Sequence, residues 1–255
     1  LSASDIDGDT VTLLGGDGDD SLVGSGEIPV NQTSFLDQEE PVIAQLTGGN
    51  LVVAWSAEDQ DGDDYGIFAR LIDGDGVPIT DEFQVNTFTA NDQDEPMVTA
   101  LADGGFVVLW ESSSQDGSSG GVFGQRFDAG GTAVGTEFQV NSFTNNFQGD
   151  QSIAALADGG FVVAWDSHSQ ELGGTSGNSG VFGQRFDVSG TTPTAVGAEF
   201  QVNSETSSDQ DDSAVSGLTG GGFVVVWNSF AQDGDGDGIF AQRFDSDGDP
   251  VGSEF

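Results

Sequence analysis

A fourfold internal repeat constrains the fold of this chain more than any other feature. Tryptophan ends an apolar run once per repeat, in NLVVAW, GFVVLW, GFVVAW and GFVVVW. All four basic residues are arginines, and one recurs in each repeat, in GIFARLID, GVFGQRFD (twice) and GIFAQRFD. The phrases EFQVN and DQ recur at the same interval. Self-similarity with a period of roughly 20–50 residues or slightly more is typical of solenoids, propellers and arrays.

Each repeat contains four short strand-like runs separated by turn signals. In the second repeat these runs are PMVTAL, FVVLW, GVFGQRF and EFQVN. Glycine supplies the positive φ that tight hairpin turns need, and no segment shows the 3.6-residue apolar period of a helix. Four antiparallel strands in a repeat predict an all-β fold, a β-propeller built of four four-stranded blades of about 55–60 residues each.

The repeat boundaries predict two regions. Residues 1–27 are expected to form an acidic Gly/Asp-rich linker, and residues 28–255 the propeller. The fourth-strand phrase IPVN at 28–31 is expected to complete the last blade and close the ring, which removes an exposed sheet edge. The alternatives are a fragment of a larger ring and an open array of β-sandwich units. The predicted blades lie approximately at 35–86, 90–141, 148–203 and 207–255.

The arginines and tryptophans are expected to be structural. Strand alternation in GVFGQRF places Arg126 beside small residues on a face that packs against a neighbouring blade. A buried guanidinium needs carboxylate or carbonyl partners, so we expect Arg–Asp ties within or between blades. The alternative is a ring of guanidiniums that binds an anion in a central channel. The expected structural residues are Arg70, Arg126, Arg185, Arg243, Trp55, Trp110, Trp165 and Trp227. The expected partners are Asp73, Asp128, Asp187 and Asp245, or the aspartate of each DQ dipeptide.

Composition limits the partners of the chain. There are 44 acidic residues against four basic ones, and the formal net charge is −40. Such a charge repels nucleic acid and anionic membranes, and it suits divalent cations. We therefore expect no nucleic-acid partner. No apolar run approaches the roughly 18 residues of a membrane span, so membrane insertion is not expected either. The absence of cysteine excludes disulfides and thiolate metal sites.

Alternating aspartates predict calcium sites in several loops. EDQDGDDYG at 58–66 and AQDGDGDG at 231–238 have D-x-D-x-D spacing, in which glycine lets alternate carboxylates converge on one ion. The turns between the third and fourth strands of the first and last repeats share this alternation, whereas the middle repeats lose it. The alternative is a set of Asp-Gly turns that keep the surface solvated. The predicted ligands in these loops are Asp59, Asp61, Asp63, Asp73, Asp75, Asp233, Asp235, Asp237, Asp245, Asp247 and Asp249.

The N-terminal phrase GGDGDDSLV at 15–23 matches the nonapeptide G-G-x-G-x-D-x-L-x of the calcium-binding β-roll. In this phrase the sequence resembles the RTX (haemolysin-type calcium-binding) proteins, and the resemblance implies Asp20 as a further ligand. Only one copy is present, whereas a β-roll shares each ion between several stacked copies. The phrases GGFVVxW, VFGQRFD and EFQVN are similar to tandem repeats of very large, acidic bacterial surface proteins. That likeness implies type I secretion, an extracellular or cell-surface location and folding in external calcium.

Little in the sequence indicates catalysis. His168 is the only histidine and is expected to be an exposed loop residue. Among 44 carboxylates, spacing alone does not identify an acid/base pair. We therefore expect a non-enzymatic, calcium-binding structural or adhesive module of a large secreted cell-surface protein. Its expected cofactor is Ca²⁺, and its expected further partners are surface glycans or other copies of the same protein. The alternatives are a lectin-like carbohydrate-binding propeller and a polysaccharide-acting enzyme.

Overall fold

The computed structural model of this chain is an all-β protein with antiparallel sheets. The structure describes residues 2–4, 10–12, 28–171 and 177–255, with side chains in the last two ranges. A two-stranded sheet pairs β1 (Ser2–Ser4) with β2 (Thr10–Thr12). The other 15 strands form four sheets, one per repeat. In the described ranges no helix is long and apolar enough to cross a membrane.

Within each of the four sheets, neighbouring strands are consecutive in the chain. Sheet I contains β3 (Gln38–Gln45), β4 (Leu51–Glu58), β5 (Tyr65–Ile72) and β6 (Phe83–Gln84). Sheet II contains β7 (Gln93–Ala100), β8 (Phe106–Ser113), β9 (Gly120–Phe127) and β10 (Ala133–Gln139). Sheet III contains β11 (Gln148–Ala155), β12 (Phe161–His168), β13 (Ser179–Asp187) and β14 (Thr194–Gln201). Sheet IV contains β15 (Gln210–Gly217), β16 (Phe223–Phe230) and β17 (Asp237–Phe244).

In sheets I to III the second and third strands are buried on both faces, which explains their near-continuous apolar sequence. In sheet II, Trp110 pairs with Phe123, and both side chains lie in apolar clusters. The turn before β8 needs glycine. Gly104 has a φ of 95°, and a Cβ added at Gly105 would contact the carbonyl oxygen of Phe127. The predicted strand content of the first three repeats is confirmed.

Successive sheets pack face to face, and their first strands lie side by side. Strand β3 contacts β7, β7 contacts β11, and β11 contacts β15. One apolar cluster fills each of the three junctions. Between sheets II and III, for example, Leu109 and Val122 pack with Trp165 and Phe182. The first strands therefore lie at the centre of the array, and the fourth strands lie at its rim.

The recurrent VN and DQ phrases form the linkers between sheets. Asn86 donates through Nδ2 to Gln93 Oε1 at 2.9 Å, and its Oδ1 accepts the N–H of Ile67 at 2.9 Å. Gln93 in turn donates to the carbonyl oxygens of Ala90 and Asn91. Equivalent bonds hold the two later linkers. These phrases are therefore conserved between repeats of this chain for a structural reason.

The residues expected to close the ring contact sheet I instead of sheet IV. Arg70 Nη1 donates to the carbonyl oxygen of Val30 at 2.8 Å, and the N–H of Gln32 donates to Glu82 at 2.7 Å. The bonds of the later linkers to Glu137, Glu199 and Glu254 repeat the second of these contacts. Residues 28–33 thus follow the path of a linker that leads into sheet I. The prediction that an N-terminal strand closes the ring was wrong.

Sheet IV has three strands rather than the four that were predicted. At the place of a fourth strand, Phe255 exchanges two backbone hydrogen bonds with Ala241, at 3.0 and 3.1 Å. Sheets IV and I do not pack face to face in the described part of the chain. The array of four sheets is therefore open between its last and first members.

Candidate active site

A cluster of carboxylates lies where the first strands of the four sheets meet, and we call it the axial acidic cluster. Two positions of the repeat supply most of it: the third residue of each first strand, and the residue after the repeated tryptophan. Its members are Glu40, Asp94, Glu95, Glu111, Asp150, Asp166, Asp211 and Asp212. Carboxylates from different sheets are close enough here to raise one another's pKa values.

A β-bulge recurs in the first strand of every sheet, and it carries one member of the axial acidic cluster each time. The register of the first two strands shifts at this point in all four sheets. The backbone φ is 53° at Glu40, 49° at Glu95, 51° at Asp150 and 52° at Asp212. A left-handed conformation at a residue other than glycine costs on the order of 1 kcal/mol or more, and such strain concentrates at functional sites. Bulges also re-aim side chains next to active sites.

Hydrogen bonds between sheets hold two of these carboxylates, Glu40 and Asp166. The N–H of Glu95 in sheet II donates to Glu40 Oε2 in sheet I at 2.7 Å. The N–H of Asp212 in sheet IV donates to Asp166 Oδ2 in sheet III at 2.8 Å. Each bond joins the bulge of one sheet to a carboxylate of the preceding sheet. The packing of the sheets therefore determines the arrangement of the cluster.

Glu111 lies in a notch that only glycine leaves open. A Cβ added at Gly120 would lie 2.6 Å from Glu111 Oε1, and one added at Gly149 would contact Oε2. The ring of Phe147 is in contact with the same two positions. Burial raises the pKa of Glu111 to about 9, and the neighbouring carboxylates add to the effect. Glu111 is therefore protonated at neutral pH.

Other members of the cluster titrate at lower pH. Burial raises the pKa of Asp166 to about 8, that of Glu95 to about 7 and that of Asp94 to about 6. Burial and then Asp212 raise the pKa of Asp150, whereas nearby His168 acts in the opposite direction. The cluster thus sets a protonated acid beside carboxyl groups that ionise more readily. That division of protonation states is what acid–base catalysis requires.

His168 lies at the end of β12 and is exposed, as we expected. Its ring packs against Phe147 with a centroid separation of 5.1 Å. The same phenylalanine borders the notch of Glu111. The aromatic ring therefore borders the acid, and the imidazole packs against that ring.

Among the described residues, two of the arginines form ion pairs, at the end of the sheets opposite to the axial acidic cluster. Arg126 is paired in register with Val107 near the start of β8, whereas Glu111 lies near the end of that strand. The guanidinium of Arg126 forms an ion pair with Asp103 and donates to the carbonyl oxygen of Val188 at 2.9 Å. The other ion pair joins Arg185 to Asp158 at 3.0 Å.

The predicted aspartate partners were wrong. Asp103 lies in the turn between β7 and β8, and Asp158 lies in the equivalent turn between β11 and β12. Each turn lies beside the arginine of the third strand of its sheet. The aspartates at 128, 187 and 245 instead accept the backbone N–H groups of their own turns. The expected structural role of the tryptophans agrees with their positions, since all four are buried.

Arg70 is not equivalent to the other arginines. It is paired with Val53, whereas the residue of sheet I that matches Arg126 is Leu71, paired with Val52. Arg70 therefore faces the opposite side of its sheet, where it donates to the carbonyl oxygens of Thr80 and Val30. Arg243 is exposed on the outer face of sheet IV. The four arginines thus lie between sheets or at an outer face, not in a channel.

Aspartates in the outer turns accept hydrogen bonds from their own loops. Asp73 Oδ1 accepts the N–H groups of Asp75 and Val77 at 2.9 and 2.8 Å. Asp245 Oδ1 plays the same part in the last repeat, with the N–H groups of Asp247 and Asp249. In residues 28–171 and 177–255 no group of three or more His, Asp or Glu side chains is placed to hold a metal ion.

The carboxylates of the D-x-D-x-D loop of sheet I have separate partners. Asp61 Oδ2 accepts from Asn86 Nδ2 at 3.1 Å, and Asp63 Oδ2 accepts the N–H of Asn91 at 3.2 Å. In sheet III the linker residue Asn203 donates to Glu171 Oε1 at 2.6 Å. In both sheets a loop carboxylate thus accepts a hydrogen bond from the linker asparagine. The prediction from the sequence considered aspartates only and therefore did not include Glu171. The remaining predicted ligands of these loops are exposed residues, namely Asp59, Asp233, Asp235 and Asp237.

The RTX-like phrase at 15–23, with Asp20, lies outside the described residues. The resemblance to RTX proteins, the binding of Ca²⁺ and the extracellular location therefore stay predictions from the sequence. The same holds for the expected glycan and protein partners.

The residue after each repeated tryptophan is a signal in the sequence for the axial acidic cluster. When the repeats are aligned, the residue after the tryptophan is Ser56, Glu111, Asp166 or Asn228. A polar residue at the end of an apolar run that is buried on both faces must have a reason to be there. The acids that follow the DQ phrase in the first, second and fourth repeats give a second, weaker signal.

Comparison with solved structures shows which known proteins share this fold. A protein of unknown function from Dyadobacter fermentans DSM 18053 aligns with a TM-score of 0.61 and 10% identity, over 87% of this chain and 70% of that one. A thermostable family-43 glycoside hydrolase aligns with a TM-score of 0.50 and 9% identity, over 85% and 75%. An endo-arabinase from Bacteroides thetaiotaomicron VPI-5482 gives 0.47 and 15%, over 88% and 77%. No family model and no curated protein matches the sequence.

These likenesses are likenesses of fold, and they correct two expectations. We expected a non-enzymatic, calcium-binding structural or adhesive module, and we expected no enzyme activity. Both predictions were wrong, because the repeated sheets that suggested a structural module are also the architecture of a glycoside hydrolase. The associated expectations of adhesion and type I secretion find no support in the same comparisons.

Proposed function

We propose that the chain is a propeller glycoside hydrolase that cleaves a neutral polysaccharide at the axial acidic cluster. Sheets I to IV are its four blades, and the array is open between the last blade and the first. The shared fold with a family-43 glycoside hydrolase supports this proposal. So does the position of the cluster, because the first strands of all the blades bring their carboxyl groups to one place.

The observation that carries the proposal is the position of Glu111, in its notch and beside carboxyl groups from other sheets. Glycosidases use one carboxylic acid to protonate the leaving oxygen and a second carboxylate as nucleophile or base. Glu111 is the acid, since its pKa of about 9 keeps the proton at neutral pH. Asp150, from the next sheet and close enough to Glu111 to raise its pKa, is the second carboxylate. Phe147 offers an aromatic ring at the notch of Glu111 for an apolar sugar face.

The charge of the chain favours a neutral substrate. The formal net charge is −40, and eight carboxyl groups meet at the proposed site. An anionic polysaccharide would be repelled on approach and would raise the cost of ionising Asp150. Neutral glycans avoid both penalties.

Hydrolysis of a panel of neutral and acidic polysaccharides tests the proposal. Release of reducing ends is measured for the wild type, Glu111→Gln, Asp150→Asn and the control Glu39→Gln, an exposed glutamate outside the cluster. We expect hydrolysis of a neutral member of the panel, a loss of about 100-fold or more in Glu111→Gln and Asp150→Asn, and little change in the control. Absence of turnover on every substrate, or full activity of Glu111→Gln, contradicts the proposal.

A further inference from the structure

The outer face of sheet IV repeats a surface that is buried elsewhere in the protein. We call this surface the tail face and define it by Val226, Ile239 and Arg243. The matching residues of sheet II include Leu109 and Val122, which are both 0% exposed because sheet III covers them. Ile239 is 72% exposed. The counterparts of this face form the three junctions of the molecule, whereas in residues 28–171 and 177–255 no sheet covers the tail face.

The opposite face of the array has the complementary half of a junction. We call it the head face and define it by Val30, Ile43, Val53 and Trp55, on the side of sheet I that points away from sheet II. Ile43 is 60% exposed, whereas Val53 and Trp55 are only 8% and 4% exposed. A cavity of about 280 Å³ is lined by Val30, Val53 and Trp55. At the junction of sheets II and III, the matching Trp165 is covered by the preceding sheet.

Backbone groups on the two faces match as well. At the junction between sheets III and IV, the N–H of Val181 donates to Asn203 Oδ1 at 2.9 Å. The carbonyl oxygen of Val181 accepts the N–H of Val202 at 2.8 Å. The same pair of bonds occurs at both earlier junctions. The residue of sheet IV that matches Val181 is Ile239, on the tail face. The residue that matches Asn203 is Asn31, next to Val30 on the head face.

We propose that the tail face of one copy of this chain docks on the head face of a second copy and forms a fourth junction of the same kind. In that junction Val30 and Asn31 of one copy lie beside Ile239 of the other, as Val202 and Asn203 lie beside Val181. Ile239 then becomes buried, and its N–H donates to Asn31 Oδ1. The proposal extends an interface already present three times and needs no new type of contact.

Charge complementarity supports this pairing. Arg126 of sheet II donates to the carbonyl oxygens of Val188 and Gly190, in the outer turn of the next sheet. Arg243 is the matching residue of the tail face, and the matching outer turn of the head face is 73–77. That turn carries two aspartates, so one of the four cations of the chain meets an acidic turn of the second copy.

The contact joins two different surfaces, so copies associate head to tail and either close into a ring or extend. The net charge of −40 on each copy opposes association. Salt screens such repulsion, with a Debye length of about 3 Å at 1 M against about 10 Å at 0.1 M. We therefore expect association to strengthen as the salt concentration rises.

Sedimentation in 1 M NaCl tests the proposal with the full chain and two surface variants. Ile239→Asp blocks the tail face and Ile43→Asp blocks the head face. Both side chains are exposed, so each variant is expected to keep the melting temperature of the wild type. The wild type is expected to form dimers and larger species as its concentration rises, and each variant alone is expected to be monomeric. An equimolar mixture of the two variants keeps one intact tail face and one intact head face, so it is expected to form a 1:1 dimer and nothing larger.

A wild type that stays monomeric at protein concentrations up to about 1 mM overturns the proposal. This holds even if the tail face and the head face of the same molecule pack against each other. So does self-association of either single variant to the wild-type extent, because the contact would then use other surfaces. A mixture that stays monomeric overturns it as well. None of these outcomes depends on hydrolytic activity, so the proposed function is tested separately.

Discussion

The N–H of Glu95 donates a 2.7 Å hydrogen bond to the Oε2 atom of Glu40, across the boundary between sheets II and I. The same oxygen accepts the hydroxyl of Ser56 at 3.0 Å. One carboxylate is thus held by its own sheet and by the next one. The relationship connects fold and chemistry, because the contact that packs two sheets also positions a member of the axial acidic cluster.

The stability of the protein is expected to fall as the pH rises from about 5 to about 9. Glu111, with an ordinary pKa of 4.5, has one of about 9 in the folded protein, and the pKa of Asp166 is about 8. Between the unfolded and folded pKa values the folded state binds more protons, so the free energy of unfolding decreases with pH. Melting temperatures measured across this range check the prediction. A stability that rises throughout the range contradicts it.

Replacing Glu111 by glutamine is expected to stabilise the protein at pH 9 and to change it little at pH 5. The amide keeps the shape of the protonated acid and never ionises. We expect a melting temperature about 3 °C higher or more at pH 9, since 1 kcal/mol corresponds to about 2–4 °C for a domain of this size. Glu39→Gln removes the same charge from an exposed position and serves as the control. Equal shifts in the two variants would show that overall charge, not burial, is responsible.

Gly149→Ala is expected to destabilise the protein by about 1–3 kcal/mol, because the added methyl group contacts both Glu111 and Phe147. Gly48→Ala is the matched control, since a Cβ added there has nothing within 4 Å. Urea unfolding of the two variants gives the comparison. Equal stabilities would show that the notch around Glu111 has room to spare.

Arg126→Ala is expected to lower the stability by about 1–3 kcal/mol, because it leaves Asp103 and a carbonyl group of sheet III without their donor. Arg243→Ala is expected to change the stability by less than about 0.5 kcal/mol in dilute, low-salt solution, where copies stay apart. Thermal unfolding of both variants measures the difference. Similar losses in the two would contradict a structural role specific to the junctions.

The strands and their order could be predicted from the sequence because the same apolar runs and turn signals recur in each repeat. FVVLW and GVFGQRF are buried on both faces, and the glycine turns between runs allow few other structures. The tryptophans of the last three repeats lie at the junctions between sheets. The closure of the ring did not follow, because the phrase at 28–31 is both a strand end and the linker that leads into sheet I.

The site was harder to predict than the fold, because its chemistry depends on burial. Nothing in the composition separates Glu111 from the exposed Glu39. Burial raises the pKa of Glu111, and the carboxylates that the fold brings beside it add to the effect. The aspartate loops were misleading for a related reason. Their spacing is that of metal ligands, yet Asp73 and Asp61 use their oxygens to hold a turn and a linker.

The protonation state of Glu111 is the most direct test of this account. The ¹³C chemical shift of its carboxyl carbon, assigned by comparison with Glu111→Gln, is followed by NMR from pH 4 to pH 10. We expect the carboxyl group to remain protonated at pH 7 and to titrate with a midpoint of about 9. A midpoint near 4.5, the ordinary value for glutamate, would show that no proton is held at the centre of the four sheets.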